Sequence, residues 1–226
     1  MHSMPNSTLT TPRLFFANEY GHWLTLLPVV VCVLYYHLDV PYHDQWDLLP
    51  LLDAYYQGTL TLNDLLKPHN GHILLLPKII MLLLAISTHW NTFAEVLCSL
   101  LLGAINFGLF LALAKQLAGA RFTVLHKCAI GLVAFSLAQA ENWLWGWQLQ
   151  VPLCLTFMLA GLAALRCITL HWLAILVAAL CGIAASLSFG AGVVFWLAAI
   201  PLVLARTPLL LLPWVLITAF CLRTFL

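Results

Sequence analysis

Between Trp23 and Leu222 the chain is mostly a succession of apolar runs, interrupted by the mixed stretch from Asp39 to His72 and by shorter polar breaks. Such a pattern leaves too little polar surface to cover a water-soluble globule. Apolar residues make up 63% of the chain and charged residues 8%, against roughly 45–50% and about 25% in an ordinary soluble domain. A bilayer-spanning helix needs about 20 mostly apolar residues. The 226 residues therefore accommodate a single transmembrane domain and no separate soluble one. The expected fold class is all-α, a polytopic transmembrane helix bundle.

Seven runs are expected to cross: Trp23–Leu38, Phe93–Ala114, Cys128–Ala140, Val151–Ile168, Trp172–Leu187, Ala191–Ala205 and Leu209–Leu222. An eighth, Ile73–Ser87, carries Pro77 and Lys78 near its start, which a helix centred in hydrocarbon tolerates poorly. Lys and Arg in short loops prefer the cytoplasmic side. If the eighth run does not cross, Arg13, the Lys115/Arg121/Lys127 loop, Arg166 and Arg206 share one side. We therefore expect Ile73–Ser87 to lie at the outer interface, with Lys78 snorkelling to water. Residues 1–22 are then cytoplasmic, 41–91 form an outer loop with interfacial helices, and Glu141–Gln150 faces the same outer side. The expected location is a membrane of the bacterial inner-membrane type.

Other classes are excluded or disfavoured by composition. No stripe of Lys or Arg could neutralise phosphates along a nucleic acid. The seven cysteines show no CxxC spacing and read as packing residues inside apolar runs. The first twenty residues lack the pattern of a cleaved signal peptide, so the first apolar run is expected to be retained. The chain stops directly after an apolar run, the pattern expected of a chain cut short at its C-terminus.

Polar chemistry is concentrated in two islands. In Asp39-Val-Pro-Tyr-His-Asp-Gln-Trp-Asp47, Asp44 and Asp47 lie three apart with His43 and Trp46 beside them. A helix starting here puts both carboxylates on one face, with Pro50 in its first turn and Gly58 at its end. Leu48, Leu49, Leu51, Leu52, Tyr55 and Tyr56 make that helix amphipathic. A carboxylate beside a histidine at a membrane surface can act as general base or ligate a divalent metal. It can equally cap a helix. Lys67-Pro-His-Asn-Gly-His72 adds Lys67, His69 and His72 around a turn signal, a set suited to a phosphate head group or a metal. The second island, Glu141-Asn-Trp-Leu-Trp-Gly-Trp-Gln-Leu-Gln150, offers Glu141, Asn142, Trp145 and Gln148. Interfacial anchoring explains its indoles. The acid and amides beside them suit a sugar, whose apolar face stacks on an aromatic ring while polar groups bond its hydroxyls. Ser186–Gly192 reads as a small-residue break for close helix packing.

With an acid-bearing outer loop after the first span, interfacial helices and a basic inner loop from Lys115 to Arg121, the chain resembles the amino-terminal half of GT-C membrane glycosyltransferases. It is also similar to uncharacterised bacterial membrane proteins with DQWD, HNGH and ENWLWGWQ blocks. Here those blocks are Asp44–Asp47, His69–His72 and Glu141–Gln148. The resemblance implies a polyprenyl-phosphate-linked sugar as donor and a lipid or surface polysaccharide as acceptor. It also implies that Asp44, supported by Asp47, activates the acceptor or helps hold a divalent metal. GT-C enzymes are usually longer, and their acids are often adjacent rather than spaced as Asp-Gln-Trp-Asp. The rival expectations are a non-enzymatic carrier or accessory subunit for lipid-linked sugar translocation, and a structural subunit that docks a partner membrane protein.

Overall fold

The structure, a computed structural model, describes residues 20–225. The expected cytoplasmic N-terminus, including Arg13, lies almost wholly outside the described residues. Helices follow one another throughout: α1 (Leu27–Tyr36), α2 (Leu49–Tyr56), α3 (Leu62–Leu66), α4 (Leu75–Thr88), α5 (Thr92–Ala118), α6 (Val124–Ala134), α7 (Ala140–Leu144), α8 (Gln150–Cys167), α9 (His171–Ser186), α10 (Val194–Ala198), α11 (Ile200–Arg206) and α12 (Leu211–Phe225). Short 3-10 turns join several of them, and among the described residues the only extended pairing is an isolated bridge between His69 and His72. The all-α expectation therefore holds.

Among the described residues two helical segments, Thr92–Arg121 and Gly146–Cys167, are long and apolar enough to cross a membrane; five more apolar helices are shorter. The shortening has local causes. The run Cys128–Ala140 stops being helical after Ala134, and Ser136 Oγ then accepts from Ala138 N at 3.2 Å to begin a new turn. The run Ala191–Ala205 is divided into a 3-10 turn, α10 and α11, with Pro201 in the first turn of the last.

The longest helix, α5, is well terminated. Asn91 Oδ1 accepts from Phe93 N at 2.9 Å and Asp39 Oδ1 accepts from Thr92 N at 2.7 Å. Lys115 sits in its last turn and Gly119, with φ of +58°, ends it. At the far ends of α5 and α8, Gln116 Oε1 accepts from Arg166 Nε at 3.3 Å. Arg206 donates to the carbonyls of Leu165 and Ile168, satisfying groups that α8 leaves open. The basic loops thus gather at one end of the bundle.

The loop after α1, the 141–150 segment and the turn at 187–190 gather at the other. Both ends of α4 also belong there. Leu76 N donates to Leu187 O at 3.2 Å, and Trp90, just past its C-terminus, stacks edge-on against Trp46 at 5.8 Å. Beneath this end lie a cluster of Leu48, Leu51, Leu52, Leu74, Met81 and Trp147, and a second built on Val29, Val33, Val96 and Phe107. A third, around Phe195, Trp196 and Trp214, joins α8 to the last helices.

Candidate functional site

The expected helix after the first apolar run begins as a 3-10 turn, His43–Leu48, and continues as α2 up to Tyr56, with Gly58 at φ +68° just beyond. In a 3-10 turn residues three apart eclipse, so Asp44 and Asp47 project together. One ring receives both. His69 Nε2 lies 3.1 Å from Asp44 Oδ2, and His69 Nδ1 lies 3.1 Å from Asp47 Oδ2. Each ring nitrogen that carries a proton donates to its own carboxylate. Asn70 Nδ2 also reaches His69 Nε2 at 3.1 Å. The His69 side chain is largely covered, packed edge-on against Trp147 at 4.9 Å, whereas Asp44 and Asp47 keep 36% and 60% of their side chains exposed. The carboxylates are the accessible members.

The two ring nitrogens point apart, so the three groups do not converge. Among the described residues no group of three or more His, Cys, Asp or Glu side chains is placed to hold a metal ion. As arranged, the acid pair brackets the one His69 ring, with a carboxylate within hydrogen-bond distance of each ring nitrogen.

A second layer supports the turn. Gln45 Oε1 accepts from Tyr42 N at 3.0 Å while its Nε2 donates to Glu95 Oε2 at 2.7 Å, and Gln45 and Glu95 are both buried. Gly146 lies against this pair: a Cβ there would meet Glu95 Oε2 at 2.2 Å and Gln45 Nε2 at 2.7 Å. Trp145 Nε1 donates to Tyr42 O at 2.9 Å. These contacts bring the two polar islands together across about a hundred residues of chain. Sequence reasoning did not assign Gln45, Glu95 or Asp39 to the site. A lone carboxylate in the first turn of a long apolar helix was the one local signal for Glu95.

The other expected residues divide. His43, at φ +47°, packs edge-on against Tyr42 at 4.2 Å and approaches Trp145 at 6.0 Å, beside Asp44. His72 pairs with His69 through backbone bonds of 2.8 and 2.9 Å and packs against Phe189 and Gly190, its Nδ1 buried without a partner. The small-residue break at 186–192 thus serves close packing, as expected, and also abuts the site. Lys67 is occupied locally: its Nζ donates to Asp64 Oδ1 at 2.8 Å. Glu141 is exposed on α7, with no hydrogen bond or ion pair to Asp44 or His72. Asn142 Nδ2 donates to Gln139 Oε1 at 3.4 Å and faces a separate cavity. Gln148 is half-buried, and its backbone N–H closes a turn onto Trp145 O.

Lys78 departs most from expectation. It is 6% exposed and does not reach water; its Nζ donates to Lys67 O at 2.6 Å and Leu65 O at 3.4 Å, closing the C-terminal end of α3. Burial pulls its pKa below the ordinary lysine value, with the Asp47 carboxylate opposing and Lys67 adding to the fall.

No protein-family model matches the chain, and neither a curated protein nor a solved structure matches it.

Proposed function

We propose that this protein is a polytopic integral membrane protein of the bacterial inner-membrane type, N-terminus inside, whose polar end transfers a sugar from a polyprenyl-phosphate donor to a hydroxyl of a lipid or surface polysaccharide. The observation that carries this reading is the accessible Asp44–His69–Asp47 array bordered by Trp145 and Trp147. Carboxylates bond sugar hydroxyls while indoles offer apolar faces. The membrane part is supported by the two long apolar helices and by outward residues such as Leu101, Leu180 and Phe220, all more than half exposed. It is also supported by the separation of basic loops from the acidic end. Helix α4, held at the acidic end by both termini, is read as not crossing.

In the proposed reaction Asp44 takes the proton of the acceptor hydroxyl. The freed oxygen forms a bond to the anomeric carbon, and the bond from that carbon to the phosphate oxygen breaks, so the lipid phosphate leaves with its electron pair. His69 holds Asp44 in place through Nε2, and Asp47 fixes the other edge of the same ring. General-base assistance of this kind contributes roughly 10²–10⁴-fold. Asp44→Asn in proteoliposomes supplied with a polyprenyl-phosphate sugar is expected to lower turnover by about that factor while leaving donor binding intact. Unchanged turnover removes Asp44 as the base.

One observation favours the carrier reading. Both carboxylates already have a partner in His69, which suits binding without chemistry. A protein that binds and moves the lipid-linked sugar across vesicles, but transfers none, establishes that alternative.

A further inference from the structure

The 3-10 turn His43–Leu48 has three faces, because residues three apart eclipse in it. Asp44 and Asp47 share the face that meets His69. Gln45 and Leu48 share the buried face, at 3% and 1% exposure, and His43 and Trp46 share an exposed one. Apolar burial alone favours a different choice. An indole removes more apolar surface from water than a leucine does, so turning His43 and Trp46 inward would hide more of it, and the acids would then leave His69. Trp46 nevertheless stays 51% exposed. The observed choice follows the polar residue of the turn instead.

That residue, Gln45, is tied to a distant element. Its Oε1 accepts from Tyr42 N at 3.0 Å, which fixes the orientation of the amide, and its Nε2 then donates to Glu95 Oε2 at 2.7 Å. Glu95 is 1% exposed, in the first turn of α5, whose start is itself fixed by Asp39 and Asn91. Gly146 closes over the pair without a Cβ, and Trp145 Nε1 holds Tyr42 O from the same segment. A local helix cap needs Gln45 alone. A buried carboxylate is costly to desolvate, and an apolar pair in its place often costs no stability; the best attested use of such buried polar groups is to fix register.

We propose that Glu95 is a positioning residue: through Gln45 it selects which face of the 43–48 turn is buried, and so aims Asp44 and Asp47 at His69 and at the acceptor. The catalytic consequence rests on the reading of Asp44 as the base; the positioning itself does not.

The test uses the full chain in detergent and in proteoliposomes. The variants are Glu95→Leu, the paired Gln45→Leu with Glu95→Leu, and the exchanged Gln45→Glu with Glu95→Gln. In protein carrying ring-15N histidine, the His69 imidazole signal, assigned by its loss in His69→Asn, reports the acid array without any substrate. It is expected to move in Glu95→Leu and in the paired leucine variant, and to return toward wild type in the exchanged pair, which again sets a donor against an acceptor. Turnover of a polyprenyl-phosphate sugar is expected to follow: kcat falls ~10²-fold in both leucine variants, the scale of a small misplacement of a reacting group, with donor KM little changed, and recovers in the exchanged pair. The unfolding midpoint of the paired leucine variant is expected to stay near wild type, since it buries neither an unanswered amide nor a carboxylate. An unmoved His69 signal in both leucine variants overturns the proposal, as does an exchanged pair that fails to restore it. Collapse of the unfolding midpoint in the paired variant assigns the contact to stability and overturns it too. A moved His69 signal with turnover unchanged in Glu95→Leu and in Asp44→Asn alike upholds the positioning role and overturns Asp44 as the base.

Discussion

His69 divides its ring between two carboxylates three residues apart, so the variants of this array are not equivalent. Asp44→Asn removes the carboxylate proposed to take the acceptor proton, whereas Asp47→Asn alters only the more exposed partner at the ring's far edge. Turnover is expected to fall far less for Asp47→Asn than for Asp44→Asn; equal losses in the same assay would instead assign the pair a joint role. Gly146 is the sharpest steric point of the site. Its missing Cβ makes room for Glu95 and Gln45. Gly146→Ala is expected to cost about 1–3 kcal/mol by overpacking, read as a lower denaturation midpoint in detergent. Asp44, Asp47, His43 and His69 were legible as candidates because acids and histidines are conspicuous in an apolar chain. Glu141 was legible for the same reason and yet stands apart from the array, because composition identifies a polar residue without saying which way its helix turns it.

At the scale of elements, α3 is held at both ends by side chains. Thr61 Oγ1 accepts from Asp64 N, and Asp64 Oδ2 accepts from Thr61 N, while Lys78 closes the other end. The Lys67 ammonium, aided by Thr61, holds the Asp64 carboxyl far below the usual carboxylate range. A carboxyl lowered on folding contributes stability that is present above its unfolded pKa and lost as pH falls through the folded one. Amide exchange within residues 61–66 is therefore expected to quicken, relative to α5, only as the solution becomes strongly acidic; Asp64→Asn should show quickened exchange already at neutral pH. Lys78→Met removes the other cap. Local protection of residues 62–68 is expected to fall while that of α5 is retained, and uniform loss across the chain would contradict a local capping role. Helix ends at Asn91, Gly58 and Gly119 follow from short-range capping and φ preferences. The interior breaks at Ser136 and Ala199 were less legible, since an apolar run looks the same whether one helix or two carry it.

The described residues are polarised: their acids gather at one end beside Trp145 and Trp147, and Lys115, Arg121, Arg166 and Arg206 lie near the other. In cells, a membrane-impermeant thiol reagent is expected to reach Asn63→Cys from outside but Ala120→Cys only after permeabilisation. Labelling of both from one side would refute the proposed topology, including a surface-lying α4. The sequence by itself determined that the chain is helical, strongly apolar and punctuated by two polar islands, because hydrophobic content, turn residues and caps act over a few residues. Only the tertiary structure decided which polar groups meet. Gln45 and Glu95 are fifty residues apart, Trp145 and Tyr42 a hundred and three, and no local spacing encodes such pairs. Packing determines them: burying a carboxylate and an indole N–H penalises arrangements that leave them unanswered. For the same reason Lys78, expected at water, is turned inward onto the carbonyls of Leu65 and Lys67.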